Sequence, residues 1–266
     1  MTAQTRNAEA PGQRTGVYVY GILPGDVEVE PGTTGVGDPP GEVRVVRHRD
    51  LAALVSDIDP DRPLGHPDDL FAHEELLDSS AVNVPVLPLR FGAVLSDDSA
   101  VADELIGPHY EEFAAAIEQL EGHAEYIVRG RYAQEAILRE VLSEDPRAAD
   151  LARRIRNADP DATRDLRMQL GELVTNAVGE RRTVDTRAVG DAVADLVAAS
   201  AVREPGHDLD AVHVAFLVPA ASAADFEETV DRLAGEWGGR VDLRLFGPLA
   251  AYDFVGGAAP DPNPGG

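Results

Sequence analysis

Cysteine is absent from the 266 residues. That removes thiol nucleophiles, disulfides, iron–sulfur clusters and cysteine-ligated zinc. Lysine is absent as well, since all 23 basic side chains other than histidine are arginine. Without lysine there is no Walker A loop to cradle a nucleotide and no Schiff base. Long apolar runs are also missing. The longest, Ala211–Ala224, is interrupted by His213 and Pro219 and is too short to span a bilayer. The opening residues, MTAQTRNAEAPGQRTG, hold no apolar signal core, so a cytoplasmic protein is expected.

Charge of one sign is scarce. Against 48 acidic side chains the 23 arginines leave a formal net charge of -25. Such a surface repels phosphate backbones and anionic headgroups, so neither nucleic acid nor membrane is an expected partner. The charge favours solubility. It fits an acidic or salt-adapted proteome, and it equally fits a soluble handler of a sticky apolar partner.

Hydrophobic pattern and breakers divide the rest. Residues 1–15 are polar and aperiodic, which predicts disorder. Val17–Tyr20, Val43–Val46 and Leu51–Val55 read as strands, with Gly32–Gly41 a loop between the first two. A helix over Asp68–Ser80 places Leu70, Phe71, Glu74 and Leu77 near one face. Val82–Val94 is strand-like, but Pro85 and Pro88 suit an edge or a bulge. Ser96–Ser99 offers N-cap side chains to a helix that Gly107-Pro108 should break. Gly122 reads as a domain seam. His123–Tyr132 reads as a strand, followed by helices over 133–142, 146–157, 161–178 and 183–200, the last two separated at Gly179–Arg182. Ala211–Val218 and Val241–Phe246 are strands around a helix that Ser222 and Asp225 would open as a capping box. Residues 256–266 form a Gly/Pro-rich tail.

The expected fold class is α+β, with two domains of small mixed or antiparallel sheets and packed helices, at least one ferredoxin-like. The expected boundaries are 16–121 for the N-terminal domain and 122–255 for the C-terminal domain with a helical insertion.

Most recognisable site patterns fail. Asp57, Asp59 and Asp61 alternate like a calcium loop, but Arg62 and Asp68 stand where Gly and the bidentate Glu belong. His73-Glu74 opens like a zincin helix, yet Leu77 occupies the second histidine position. Gly35, Gly37 and Gly41 lack dinucleotide-loop spacing. His207 and His213 could meet a carboxylate only as any histidine would among so many acids. No catalytic, cofactor-binding or metal-ligating residue is assigned, and no enzymatic activity is expected.

Val84–Leu95 (VPVLPLRFGAVL) is different. Leu87 and Pro88 belong to an apolar strand-like run. Arg90 is expected to be buried against a carboxylate, Phe91 to fill a core, and Gly92 to adopt an unusual backbone angle. At the other end, Leu249, Tyr252 and Phe254 form an apolar and aromatic cluster before the tail. Aromatic residues in a terminal segment make good interface anchors, so these three are the candidate partner-binding residues, placed on the C-terminal domain.

Leu87–Gly92 (LPLRFG) resembles the signature segment of the gas vesicle protein F/L family (GvpF/GvpL). Val17–Gly21 (VYVYG), Leu51–Ser56 (LAALVS) with His73-Glu74, and Gly247–Phe254 (GPLAAYDF) resemble other family segments in the same order, across about residues 16–255. Ala250-Ala251 stand where the family usually has prolines. The resemblance implies a two-domain α+β accessory protein with a ferredoxin-like module and no cofactor. It implies the small hydrophobic shell protein GvpA and other gas vesicle proteins as partners, and a place in the cytoplasm and at the gas vesicle. Two rival readings are a small-ligand-binding protein or enzyme on a ferredoxin-like scaffold, and a minor structural component of the shell.

Overall fold

A computed structural model describes residues 15–255, except the side chains of residues 160 and 161. The expected disordered N-terminus, apart from Thr15, and the expected tail therefore lie outside the described residues. The chain divides into two compact units, Gly122–Leu249 and the remainder, with Ala250 onward belonging to the first.

In the first unit, strand-forming runs become β1 (Gly16–Pro24), β2 (Thr34–Gly37), β3 (Pro40–His48) and β4 (Leu51–Ile58). The order is β2-β3-β4-β1, so the supposed loop at Gly32–Gly41 supplies an edge strand. β1 is buried along nearly its whole length, and so is β4, so neither shows the alternation of a half-exposed strand. They pair antiparallel from Gly16 opposite Ile58 to Pro24 opposite Leu51, with a bulge between Val19 and Gly21.

Helix α1 (Pro67–Ala81) starts on a proline, whose missing N–H costs nothing at the first helical position. The proline-rich run beyond it pairs with β1 in two fragments, β5 (Leu87–Pro88) and β6 (Val94–Leu95). Between them Leu89 N–H donates to the Tyr20 carbonyl at 2.9 Å, and Val19 N–H donates to the Ala93 carbonyl at 2.9 Å. A short helix α2 (Asp98–Ala100) is capped by Asp97, whose carboxylate accepts from Ala100 N–H at 2.9 Å. It continues as a π-turn over Val101–Ile106, ends at Gly107, and α3 (Tyr110–Leu120) follows.

The buried face of α1 differs from the expected one. Asp69, His73, Leu76 and Leu77 point inward, whereas Leu70 and Phe71 are 41% and 66% exposed. Hydropathy ranks Phe71 above Asp69, but pairing reverses the outcome. Arg62 donates to both Asp69 oxygens at 3.1 and 2.9 Å, which removes the cost of an unpaired buried carboxylate and holds the acid below the ordinary range.

The second unit runs β7 (His123–Tyr132), α4 (Gln134–Glu144), α5 (Pro146–Asn157), α6 (Arg164–Val193), β8 (Ala199–Val202), β9 (Asp210–Pro219), α7 (Ala223–Glu236) and β10 (Val241–Leu249). The sheet order is β10-β7-β9-β8, antiparallel throughout. Numbered within the unit this is 4-1-3-2, the ferredoxin-like split βαβ arrangement. Alternate residues Tyr126, Val128 and Tyr132 of β7 meet Val212, Val214, Phe216 and Val218 of β9 on one face. Val178, Val189 and Val193 of α6 and Phe226, Val230 and Leu233 of α7 close that core.

Two helix boundaries depart from expectation. α6 passes through Gly179 without a break, because one glycine costs a helix only about 1 kcal/mol and the following turn is tied down. Arg182 donates to the carbonyls of Asp210 and Asp208, and Arg181 pairs with Glu140 and Glu144. The expected helix to residue 200 stops instead at a 3-10 turn over Ala194–Leu196, and β8 follows. Ser222 makes no side-chain cap, since a 3-10 turn over Ala220–Ser222 already leads into α7. Asp185 of α6 is buried, accepting from the Tyr132 hydroxyl at 2.6 Å and from Arg240 at 2.9 Å.

Candidate functional site

Tyr18 and Tyr20 sit two apart on β1, so both rings project to the same face, 4.8 Å apart between centroids. His73 of α1 stacks on Tyr20 at 5.7 Å, and Phe91 meets His73 edge-on at 5.6 Å. The hydroxyls are fully used. Gly92 N–H donates to the Tyr18 oxygen at 3.1 Å, and that hydroxyl lies 3.0 Å from His73 Nδ1. If the Tyr18 proton goes to Nδ1, the histidine hydrogen sits on Nε2. The Tyr20 hydroxyl lies 2.7 Å from Ser56 Oγ and accepts from Val36 N–H at 2.7 Å.

The electrostatics follow from burial. Tyr18 and Tyr20 are wholly buried and His73 is 2% exposed. Burial pushes both phenols above their ordinary pKa and pulls His73 down to about 4, although the Leu89 carbonyl works the other way. His73 Nε2 has no partner within hydrogen-bond geometry. A neutral imidazole closed to solvent meets no substrate. The cluster is a clasp fixing β1, β4, α1 and the turn at 90–92 to one another.

The LPLRFG residues divide between packing and turn. Leu87 and Pro88 are buried on the edge of β1, opposite Ile22 and Gly21. Arg90 is exposed and makes no ion pair among the described residues, contrary to expectation. It stands where the chain leaves the sheet, and a guanidinium there keeps its hydration. Phe91 is only half-buried. Phe91→Ala should therefore cost about 2 kcal/mol, less than the about 3–5 of a fully buried ring, measured as a shift in urea unfolding. Gly92 has φ +92° with open space around it, so its requirement is conformational and not steric.

The closing segment corrects the expected domain assignment. Leu249 ends β10 in the second unit, opposite Glu125. Ala250 and Ala251 are buried, and Ala250 belongs to the core of the first unit. Ala250 N–H donates to Asp78 of α1 at 2.9 Å, a partner 172 positions earlier. Tyr252 and Phe254 thus belong with the N-terminal residues, because a backbone donor found its acceptor there and not in the neighbouring sheet. Tyr252 is 37% exposed and Phe254 half-buried.

The remaining polar candidates are structural. Asp59 accepts from Asp61 N–H at 2.9 Å and Asp57 pairs with Arg44 at 2.9 Å, so the calcium-like run forms turns and ion pairs. His213 and Asp210 line a hollow of about 280 Å³ with Arg182 and Thr186. The Asp210 carboxylate there is committed to Gly206 and His207 N–H groups, both at 2.9 Å. Among the described residues no cluster of three or more histidines and acids could hold a metal, and no helix is long and apolar enough to cross a membrane.

The family model for "Gas vesicle synthesis protein GvpL/GvpF" matches residues 16–256. The chain belongs to the GvpL/GvpF family. It is 34% identical over 242 residues to gas vesicle protein F of Streptomyces sp. (strain CB03234), covering 90% of this chain and 98% of that one. Gas vesicle protein F of Dolichospermum flosaquae is 24% identical, with 90% and 97% covered. The crystal structure of GvpF from Anabaena sp. PCC7120 superposes with a TM-score of 0.72 at 20% identity, covering 91% and 96%. That of GvpF from Microcystis aeruginosa gives 0.71 at 22% identity, covering 90% and 98%. At such identities the two structures establish the shared fold.

Within this GvpL/GvpF chain the family-like segments converge. Tyr18 and Tyr20 come from VYVYG, Ser56 from LAALVS, His73 from α1, Phe91 and Gly92 from LPLRFG, and Ala250 from the closing segment joins the same core. Sequence reading missed Gly35, Asp69 and Asp78. Gly35 stood in a run of glycines and prolines, and no local pattern marks the two acids as buried or bonded.

Proposed function

We propose that this GvpL/GvpF-family chain is a cytoplasmic assembly factor that holds the shell protein GvpA and supports vesicle formation by binding, without catalysis or nucleotide. The observation that carries the binding surface is the closing segment. Ala250 and Ala251 are buried as anchors while Tyr252, next in the chain, keeps 37% of its surface exposed. An aromatic side chain on a fixed segment makes a contact at low entropic cost. Phe71, 66% exposed on α1 of the same unit, is a second apolar anchor. The charge of -25 keeps a complex with a sticky subunit soluble. Leu249, in the other unit, is assigned to packing at the end of β10.

Co-expression with GvpA and affinity capture of the full chain test this. Tyr252→Ala should lower capture about tenfold, the scale of an interface anchor, while the chain still unfolds in one cooperative transition above the assay temperature. Capture should not depend on ATP. Undiminished capture by both Tyr252→Ala and Phe71→Ala would remove the surface, and failure of the unsubstituted chain to capture GvpA would remove the function.

A further inference from the structure

The second sheet has one face packed on α6 and α7, and its other face carries a charge pattern that strand pairing alone does not favour. On that face Arg129 of β7 lies directly opposite Arg244 of β10 on one side and His213 of β9 on the other. Directly opposed side chains in an antiparallel pair are about 5 Å apart at Cβ, and like charges there are destabilising. Arg131, two residues along on the same face, stands opposite Asp242 of β10 and Asp210 of β9, and neither acid closes an ion pair with it. Two acids offset the group incompletely. Asp242 pairs with Arg244 at 2.8 Å. Asp210 is already committed to two loop N–H groups and reaches Arg129 only at 3.9 Å. Arg129 and Arg244 keep 50% and 68% of their side-chain surface exposed. Across these two rows three arginines meet two acids, a small positive excess in a chain with net charge -25.

The next cross-strand row on the same face is apolar. Phe246 of β10, 46% exposed, stands opposite Ile127 of β7. β10 is also an edge strand, paired only with β7 among the described residues, so its outer backbone groups offer a template for another strand. A strand added there presents side chains to one face at every second residue. An acidic side chain over the arginine row and an apolar one over Phe246 would then be two residues apart.

We propose that the β10 edge, with Arg129, Arg131, Arg244 and Phe246, docks an extended segment of a partner protein carrying acidic and apolar side chains at alternate positions. A carboxylate on the added strand stands beside Arg244, with the Arg129 guanidinium one strand further in and within reach of a long acidic side chain, so the crowded arginines gain a counter-charge. Backbone pairing supplies affinity and the alternating side chains set the register. This surface belongs to the second unit and Tyr252 to the first, and the proposal does not depend on GvpA binding.

The probe is a fluorescein-labelled peptide, Thr-Glu-Thr-Val-Thr-Glu-Thr-Val-Thr, matching the nine residues of β10. Anisotropy is read with the full chain at about 150 mM salt, where a Debye length of about 8 Å screens the global repulsion and leaves local contacts. The peptide should bind, and its analogue with Lys for Glu should not. Arg129→Thr and Arg244→Glu should each weaken binding about tenfold or more, the change expected on losing a desolvated charge contact, and Phe246→Ser should weaken it less. Arg129→Thr should keep or raise the melting temperature, because it removes a like-charge pair and adds a strand former. Three results would overturn the proposal: no binding of the peptide, equal binding of the Lys analogue, or unchanged binding by both arginine variants.

Discussion

Gly35→Ala is expected to destabilise the protein by about 3 kcal/mol, from overpacking plus disturbed buried hydrogen bonds. A Cβ built on Gly35 falls 2.0 Å from the Tyr20 hydroxyl oxygen and 2.6 Å from its Cζ. The ring has nowhere to go. It is wholly buried between Tyr18 and His73, and its hydroxyl is held by Ser56 Oγ and by the N–H of Val36, the residue after Gly35. Either β2 lifts away from β1 or Tyr20 leaves its partners. Tyr20→Phe alone should cost about 1–2 kcal/mol by orphaning the Val36 N–H. Combined with Gly35→Ala it should cost less than the sum, because the oxygen that clashes is gone, and the shortfall measures the contact. Urea unfolding of the two single variants and the double variant closes the cycle. A Gly35→Ala variant within about 0.5 kcal/mol of the parent would mean that Tyr20 does not occupy this position.

That contact shows where sequence reading ends. Strands built from Val17–Tyr20 and Leu51–Val55, the Asp97 cap and the break at Gly107-Pro108 are local physics, and local sequence displays them. The 4-1-3-2 order in the second unit was legible only as a class, because no strand names its neighbour. The inward face of α1 was misread because Arg62, seven residues before Asp69, makes a carboxylate buriable. The closing segment was misplaced because Asp78 lies far away in sequence. Arg90 was misjudged for a related reason. Its apolar neighbours suggested burial, but the residue stands at the exit of an edge strand, and edge position is a property of the whole sheet. Tyr252 was legible as a candidate by its chemistry, an aromatic before a Gly/Pro-rich run, and its place in the first unit was not.

The His73 ring should make stability depend on pH in a window that a non-titrating variant lacks. Its pKa is pulled to about 4 in the folded protein, against the ordinary 6.5 of an unfolded histidine. Between those values the unfolded chain binds the proton and the folded chain does not, so stability rises with pH. The stabilisation is complete above about 6.5 and is lost as pH falls through that value towards 4. The size follows from a difference of about 2.5 units, roughly 3 kcal/mol in all. The structural cause is specific. Protonation would put a hydrogen on Nδ1, which now faces the Tyr18 hydroxyl, and would leave a buried cation whose Nε2–H has no partner within hydrogen-bond geometry. His73→Asn keeps an acceptor close to the Nδ1 position and cannot titrate, at the cost of a smaller, less well packed side chain. Carboxylates titrating below pH 5 affect parent and variant alike and cancel in the difference. The parent's advantage over His73→Asn, taken from urea unfolding, should therefore shrink by about 3 kcal/mol between pH 7 and pH 4. A constant difference across that range would show that the ring is solvated or has a partner at Nε2, and the closed, neutral clasp would have to be abandoned.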